Sequence, residues 1–349
     1  MVDRTQPQET VGTPRRARPV DVAFPPFRPR LPWLSGDLQT VRNAFLDSVG
    51  LAPRGPSPDN AQTLQFGMTD GTEDVLIGRL DEAPSEYEHP LVLLVHGLTG
   101  CQDSVYMRAT AQHLVAQGYS TLRLNLRGAG PSRSRCRFWY HAGRSDDLAT
   151  VIQKLDPTLT EQGLIVIGFS LGGNILLKYL GERGEAAPVL AAATVSAPID
   201  LAATSRCMME LRNSRYHRWL LDRMRTEATA PGADVTDEER RAVAAARTVY
   251  EFDDTFVAPR NGFGTADRYY AGCSGRRFLG DIRVPTLLIH AADDPWIPIE
   301  PYRSFSWRDN DMLVPLLADH GGHLGFHGRN GPPPWHDQCI SLFLKAAVG

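Results

Sequence analysis

The chain has 349 residues, 42% of them hydrophobic and 22% charged, with a formal net charge of −3. That is enough apolar material for one large α/β domain or two small ones, and there is no basic excess of the kind nucleic acid or an anionic membrane would demand. Five scattered cysteines (Cys101, Cys136, Cys207, Cys273 and Cys339) lack C-x-x-C spacing, so they read as reduced thiols of a cytoplasmic protein, neither a disulfide frame nor a zinc site.

Residues 1–35 are rich in Pro and Arg and have no apolar h-region, which argues against a secretory leader. No stretch approaches the 18 or so uninterrupted apolar residues of a membrane-spanning helix. The first dozen residues are expected to be disordered. Phe24, Phe27, Leu31, Trp33 and Leu34 are too apolar for a free tail and are expected to pack along the domain. A short helix should run from Leu38 to about Val49. Residues 1–60 thus form an N-terminal extension, and 61–349 the main domain.

Ala61–Phe66 and Glu73–Leu80 flank the turn Thr69-Asp70-Gly71 and read as an antiparallel pair. The continuous apolar run 91–95 has the character of a strand buried on both faces. Helix 104–118, strand 119–126, helix 144–155 and strand 189–196 follow, with a long Arg-rich loop up to His141. Such alternation means βαβ units and a parallel sheet. It breaks over 198–265. There Leu201–Arg225 reads as one apolar helix, and Thr236-Asp237-Glu238-Glu239 as the N-cap of a second helix reaching about Val249. This segment is expected to be a helical cap insertion. Alternation resumes with strand 286–290, helix 301–307, strand 312–317 and a closing helix over 335–347.

The stretch that organises the chain is Gly163–Asn174, GLIVIGFSLGGN. A buried strand stops at Gly168, Ser170 takes the apex of a sharp turn, and an apolar-periodic helix begins at once. Gly168 and Gly172 are needed because a Cβ at either would collide with the neighbouring chain. The serine hydroxyl is thereby lifted off the sheet, facing the free N–H groups of the helix start. G-x-S-x-G in a strand–turn–helix frame is the nucleophile elbow of α/β-hydrolases.

Together with HGLTG at 96–100, Tyr140-His141-Ala142-Gly143, HAADDP at 290–295 and GGHLGF at 321–326, this frame resembles the α/β-hydrolase superfamily. Within it, Leu38-Gln39-Thr40, Val195-Ser196-Ala197-Pro198, Glu251-Phe252-Asp253-Asp254 and Tyr269-Tyr270 resemble the YheT/EMB8/ABHD1–ABHD3-like group. The resemblance covers roughly 30–345. It implies an eight-stranded, mostly parallel sheet with helices on both faces. Two departures are Asp37, where the group usually has histidine, and Asn125, where many hydrolases carry aspartate.

A serine hydroxyl needs a general base, and the base an orienting carboxylate. In this fold they follow in the order Ser, Asp/Glu, His. Asp293-Asp294 follows the strand after the cap, and His320 and His323 follow the last strand. The frame Asp294-Pro295-Trp296-Ile297-Pro298 resembles the D-x-x-V-P pattern at the acid loop of many hydrolases, and that resemblance selects Asp294. Gly321-Gly322 lets the loop fold His323 towards Ser170. Asp293 is left to hydrogen-bond the loop backbone, and His320, beside Asp319, reads as a paired loop residue. His96 is expected to satisfy a backbone group, while His89, His113, His217 and His336 read as surface or packing residues. The expected activity is that of a serine esterase on carboxylic esters, and the family resemblance implies short- to medium-chain acyl groups. Ser170, Asp294 and His323 are its triad, and the N–H groups of Leu98 and Leu171 its oxyanion hole. Met208 and Trp219 either line the acyl site or belong to the cap's core. No cofactor or metal is expected. Acyl transfer to an alcohol, lipase or phospholipase action on glycerolipids, and a silent binding scaffold remain open, as does the oligomeric state.

Overall fold

The computed structural model describes residues 19–57, 59, 61–84, 88–329 and 331–349; the disorder expected for the first dozen residues falls outside them. Eight strands form one sheet: β1 (Ala61–Gly67), β2 (Val75–Asp81), β3 (Leu91–Val95), β4 (Thr121–Leu124), β5 (Leu164–Phe169), β6 (Ala191–Val195), β7 (Thr286–Ala291) and β8 (Leu313–Ala318). Their order is β1-β2-β4-β3-β5-β6-β7-β8. Only the β1–β2 and β2–β4 pairs are antiparallel. From β3 the chain goes to β4 on one side and, later, to β5 on the other. That reversal opens a crevice at the strands' C-terminal ends, the place where open α/β sheets bind ligands.

Every residue of β3, β5, β6 and β7 is buried because helices cover both faces. The period of two is visible within β3: Leu91, Leu93 and Val95 enter one core layer, Val92 and Leu94 the other. The first layer is closed by helices α3 (Ser145–Gln153) and α4 (Leu171–Arg183), the second by α2 (Val105–Val115) and α12 (Trp335–Val348). Helix α1 (Gly36–Ser48) lies against the loop that follows β8. Phe27 packs on Phe326 and Trp335, but Leu31 and Leu34 face solvent at 75% and 45% exposure, against expectation. They sit in the turn that leads into α1, past the point where the segment leaves the core.

Between β6 and β7 lie α5 (Leu201–Met208), α6 (Ser214–Ala228), α7 (Asp237–Ala245), α8 (Val249–Phe252), α9 (Ala258–Arg260) and α10 (Ala266–Cys273). The single helix expected over 201–225 is two. Buried Asn213 donates to Cys207 O at the end of α5 and to Pro295 O (2.7 Å) across the cleft, turning the chain before α6. The capping box at Thr236 and Glu239 is present, yet α7 stops at Ala245. Thr248 then caps α8 separately by accepting from Glu251 N. The helix expected over 301–307 shortens to α11 (Glu300–Arg303), and Trp307 Nε1 donates to Tyr302 O beyond its end.

Candidate active site

β5 ends against the start of α4, and Ser170 between them has φ 49° and ψ −122°, a left-handed backbone that a serine adopts only under constraint. Its N–H donates to Val195 O, 2.9 Å away. A Cβ on Gly168 would lie 2.6 Å from Gly172 O, and one on Gly172 2.4 Å from His96 O, so both glycines are steric necessities.

His323 Nε2 lies 3.1 Å from Ser170 Oγ, and its Nδ1 2.9 Å from Asp294 Oδ2. Asp294 Oδ1 accepts from Trp296 N and Ile297 N at 2.8 and 3.1 Å. Burial pushes the Asp294 carboxyl up. The charge and hydrogen bond of His323, with the backbone donors, outweigh it and hold the group below its ordinary value. The Trp296 indole stacks on the His323 imidazole with centroids 4.5 Å apart. Asp293 instead accepts from Gly322 N and pairs with His320 Nδ1 at 3.1 Å. His320 is thus a paired loop residue, but its partner is Asp293 and not its neighbour Asp319. His96 Nε2 accepts from Leu126 N, so its Nδ1 carries the proton and donates to Gly97 O. Burial depresses it to about 4, leaving it neutral.

Above Ser170 a cavity of about 560 Å³ opens between the sheet ends, α1 and the α5–α10 segment. Leu98, Leu171, Met208 and Trp219 all line it. Met208 is buried; Trp219 stands half-exposed at the mouth, beneath the Arg223 guanidinium and 6.1 Å from the Trp296 ring.

Residues 90–329 match the family described as alpha/beta hydrolase fold. The chain belongs to that family. It is 31% identical over 273 residues to "Putative esterase YheT" of Escherichia coli (strain K12), covering 75% of this chain and 79% of that protein. It is 28% identical over 285 residues to medium-chain fatty acid ethyl ester synthase/esterase 2 of Saccharomyces cerevisiae, covering 74% of this chain but only 62% of the yeast protein. Among solved structures, the Pyrococcus furiosus esterase Pf2001 superposes with a TM-score of 0.59 at 18% identity, over 83% of this chain and 92% of that one.

Several residues that shape this hydrolase-fold site carry no assigned role in the sequence reading, though they stand in its motifs or at its departures. Thr40 Oγ1 accepts from His323 N at 2.8 Å, and buried Gln39 bonds the backbone of His327 through both its amide atoms. The Leu38-Gln39-Thr40 motif was the signal, but its partners lie more than 280 residues away. Asp37, at the first departure from the group, accepts from Tyr216 and Arg212 of the segment above the cavity. Asn125, at the second, accepts from Gln102 N and donates to Ile77 O just past the end of β4. Asp253 lies on the cavity wall in a π-helical turn, hydrogen-bonded by Tyr270.

Proposed function

We propose that this protein is a serine esterase that cleaves carboxylic esters of short- to medium-chain acyl groups. The observation that carries the reading is the hydrogen-bonded row Ser170–His323–Asp294, whose Ser170 and His323 line an apolar-walled cavity. Ser170 Oγ attacks the acyl carbonyl while His323 Nε2 takes its proton. Anionic Asp294 fixes the tautomer with the proton on Nδ1 and stabilises the imidazolium that forms. His323 then protonates the departing alkoxide, leaving Ser170 acylated. Water, deprotonated by the same imidazole, releases the acid and restores the serine.

The tetrahedral oxyanion needs donors aimed where its charge develops. Gly97 N donates to Tyr106 Oη, Thr99 N to Tyr140 Oη and Gly100 N to Gly97 O, whereas Leu98 N has no acceptor among the described residues. Leu171 N, at the start of α4, has none either. These two N–H groups are the oxyanion donors in this reading. Labelling with a fluorophosphonate probe and turnover of p-nitrophenyl esters of graded chain length test it. A folded protein that neither labels at Ser170 nor turns over any ester is a binding scaffold instead.

A second reading, lipase action on glycerolipids, is favoured by the apolar rim. Val41 and Trp219 line the cavity while 39% and 47% exposed, and Leu38 and Phe45 stand exposed on the same helix as Val41. Turnover that rises sharply when a long-chain glyceride passes from monomer to emulsion supports this reading. Turnover limited to monomeric short esters removes it.

A further inference from the structure

Thr99 is the most constrained residue of the 96–100 loop. It is β-branched, yet sits at φ 55°, a conformation that persists only where the surroundings impose it. Both of its backbone polar groups are held by side chains distant in sequence. Its N–H donates to Tyr140 Oη at 2.6 Å, and its carbonyl accepts from Arg223 of α6 at 3.2 Å. Tyr140 is fully buried and in turn donates its hydroxyl proton to Glu227 Oε2 at 3.2 Å. Arg223 and Glu227 lie four residues apart, on one face of α6. The loop carrying Tyr140 is itself anchored, since Tyr140 N donates to Arg127 O and the Arg127 guanidinium is buried among Asp70, Asp74 and Asp147.

On the other side of Leu98, Gly97 O accepts from His96 Nδ1 and Gly100 N. A trans peptide directs its N–H opposite to its carbonyl, so Leu98 N–H points away from those two donors. We infer that Tyr140, Glu227 and Arg223 form a clamp by which helix α6 sets the backbone of Thr99, and through it the aim of the Leu98 N–H at the oxyanion. All three are positioning residues for the reaction, and none has to touch substrate. The inference rests on the esterase reading above. It makes the segment over the cavity part of the apparatus that stabilises the transition state, beyond covering the acyl chain.

Burial pushes the Glu227 carboxyl up to about 7, against the opposing pull of Tyr140 and Arg223. The titratable and charged groups facing it are Tyr140, Tyr106, Arg133 and its helix neighbour Arg223. An ionised Glu227 accepts the Tyr140 proton most strongly, so the clamp tightens as pH rises through that value.

The experiment compares wild type, Tyr140→Phe, Glu227→Gln and Arg223→Met on p-nitrophenyl acetate, an ester too short to reach the helical wall. A trifluoromethyl ketone serves as mimic of the tetrahedral state, and melting curves establish folding. Full removal of an oxyanion donor costs about 10²–10³ in kcat, so its mis-aiming in Tyr140→Phe should cost on the order of 10–100-fold. KM should move less than about twofold, and affinity for the ketone should fall in parallel with kcat. Arg223→Met alters an exposed side chain and should give a smaller loss of the same kind. Glu227→Gln leaves only a neutral acceptor for Tyr140, so it should fall below wild type above about pH 7, converge with it at lower pH, and make the acid limb shallower. Unchanged kcat and ketone affinity in Tyr140→Phe would overturn the clamp. Should that variant fail to fold, unchanged values in both Arg223→Met and Glu227→Gln would do the same. A wild type that neither labels with fluorophosphonate nor hydrolyses the acetate would defeat the esterase reading itself, a different result from a clamp variant that behaves as wild type.

Discussion

The strand ends that carry Ser170, Asp294 and His323 differ in construction from the helices over 201–273 that face them across the cavity. On the sheet side, position is imposed by backbone: a left-handed serine, two glycines without room for a Cβ, and the Asp294 carboxylate gripped by two consecutive N–H groups. On the helical side, position comes from side chains reaching long distances: Asn213 to Pro295, Arg223 to Thr99, Tyr216 to Asp37. The first kind of construction fixes atoms to fractions of an ångström and suits bond making. The second can be retuned by single substitutions and suits the choice of substrate.

The largest expected break of this comparison is on the sheet side. Ser170→Ala should keep the melting temperature and lower kcat by about 10⁶, the size seen for a protease triad serine. Retention of more than about a tenth of the activity would remove Ser170 from the chemistry. Next come the doublets. Asp294→Asn and His323→Ala should each cost on the order of 10⁴ in kcat, because a misoriented or absent imidazole leaves the serine proton in place. Asp293→Asn and His320→Ala alter only the loop's internal pairing and should cost at least about 10² less. A dead His320→Ala beside an active His323→Ala would reverse the assignment of the base.

The same contrast decides what could be read from the sequence. Strands such as 91–95 and 164–169 were legible because burial on both faces writes an unbroken apolar run bounded by Pro90 or Gly163. The elbow was legible because its steric demands leave glycine as the residue that fits. The choice of Asp294 and His323 from their doublets rested on local frames; in the structure these two side chains lie 2.9 Å apart, with His323 Nε2 3.1 Å from Ser170 Oγ. The break between α5 and α6 was not legible, since it depends on Asn213 meeting a carbonyl 82 residues away. The role of Thr40 at His323 and the path from Glu227 through Tyr140 to Thr99 are likewise tertiary, and no periodicity records them. Trp219 belonged to an apolar-looking helix, but α6 buries Leu220, Leu221, Met224 and Ala228, which leaves the indole off that face.

On the helical side the effects should be smaller and selective. Met208→Ala widens the buried wall of the cavity and should raise kcat/KM for longer acyl chains relative to shorter ones. Trp219→Ala should change mainly the longest substrates, since the indole stands at the mouth. A contact of methylene size is worth about 1–3 kcal/mol, so ratios should shift by roughly tenfold or more while activity on the acetate stays within a fewfold. Identical chain-length profiles across a graded ester panel in both variants would take this wall out of the acyl site.

The smallest effect compares two buried aspartates. Asp294, facing His323, is held below its ordinary value, so its contribution to stability is present above about pH 4 and is lost only as pH falls through its folded value. Asp253, on the helical wall, has no cation beside it among the described residues. Burial raises it from 3.8 to about 7, and the Tyr270 hydroxyl at 2.7 Å opposes that only in part. With a folded pKa above the unfolded one, the native state binds more protons between those values. Stability from Asp253 is therefore fully present below about pH 4 and declines as pH rises to 7. Asp253→Asn keeps an acceptor for Tyr270 and cannot ionise, so the variant should gain on wild type as pH rises. The difference in melting temperature should grow by a few degrees, on the order expected for a chain of this size, and level off above pH 7. Melting curves of both proteins from pH 4 to 8 measure it. A difference that stays constant across that range would mean that Asp253 is ionised throughout, with water from the cavity hydrating it, and that this wall is as wet as the sheet side is dry.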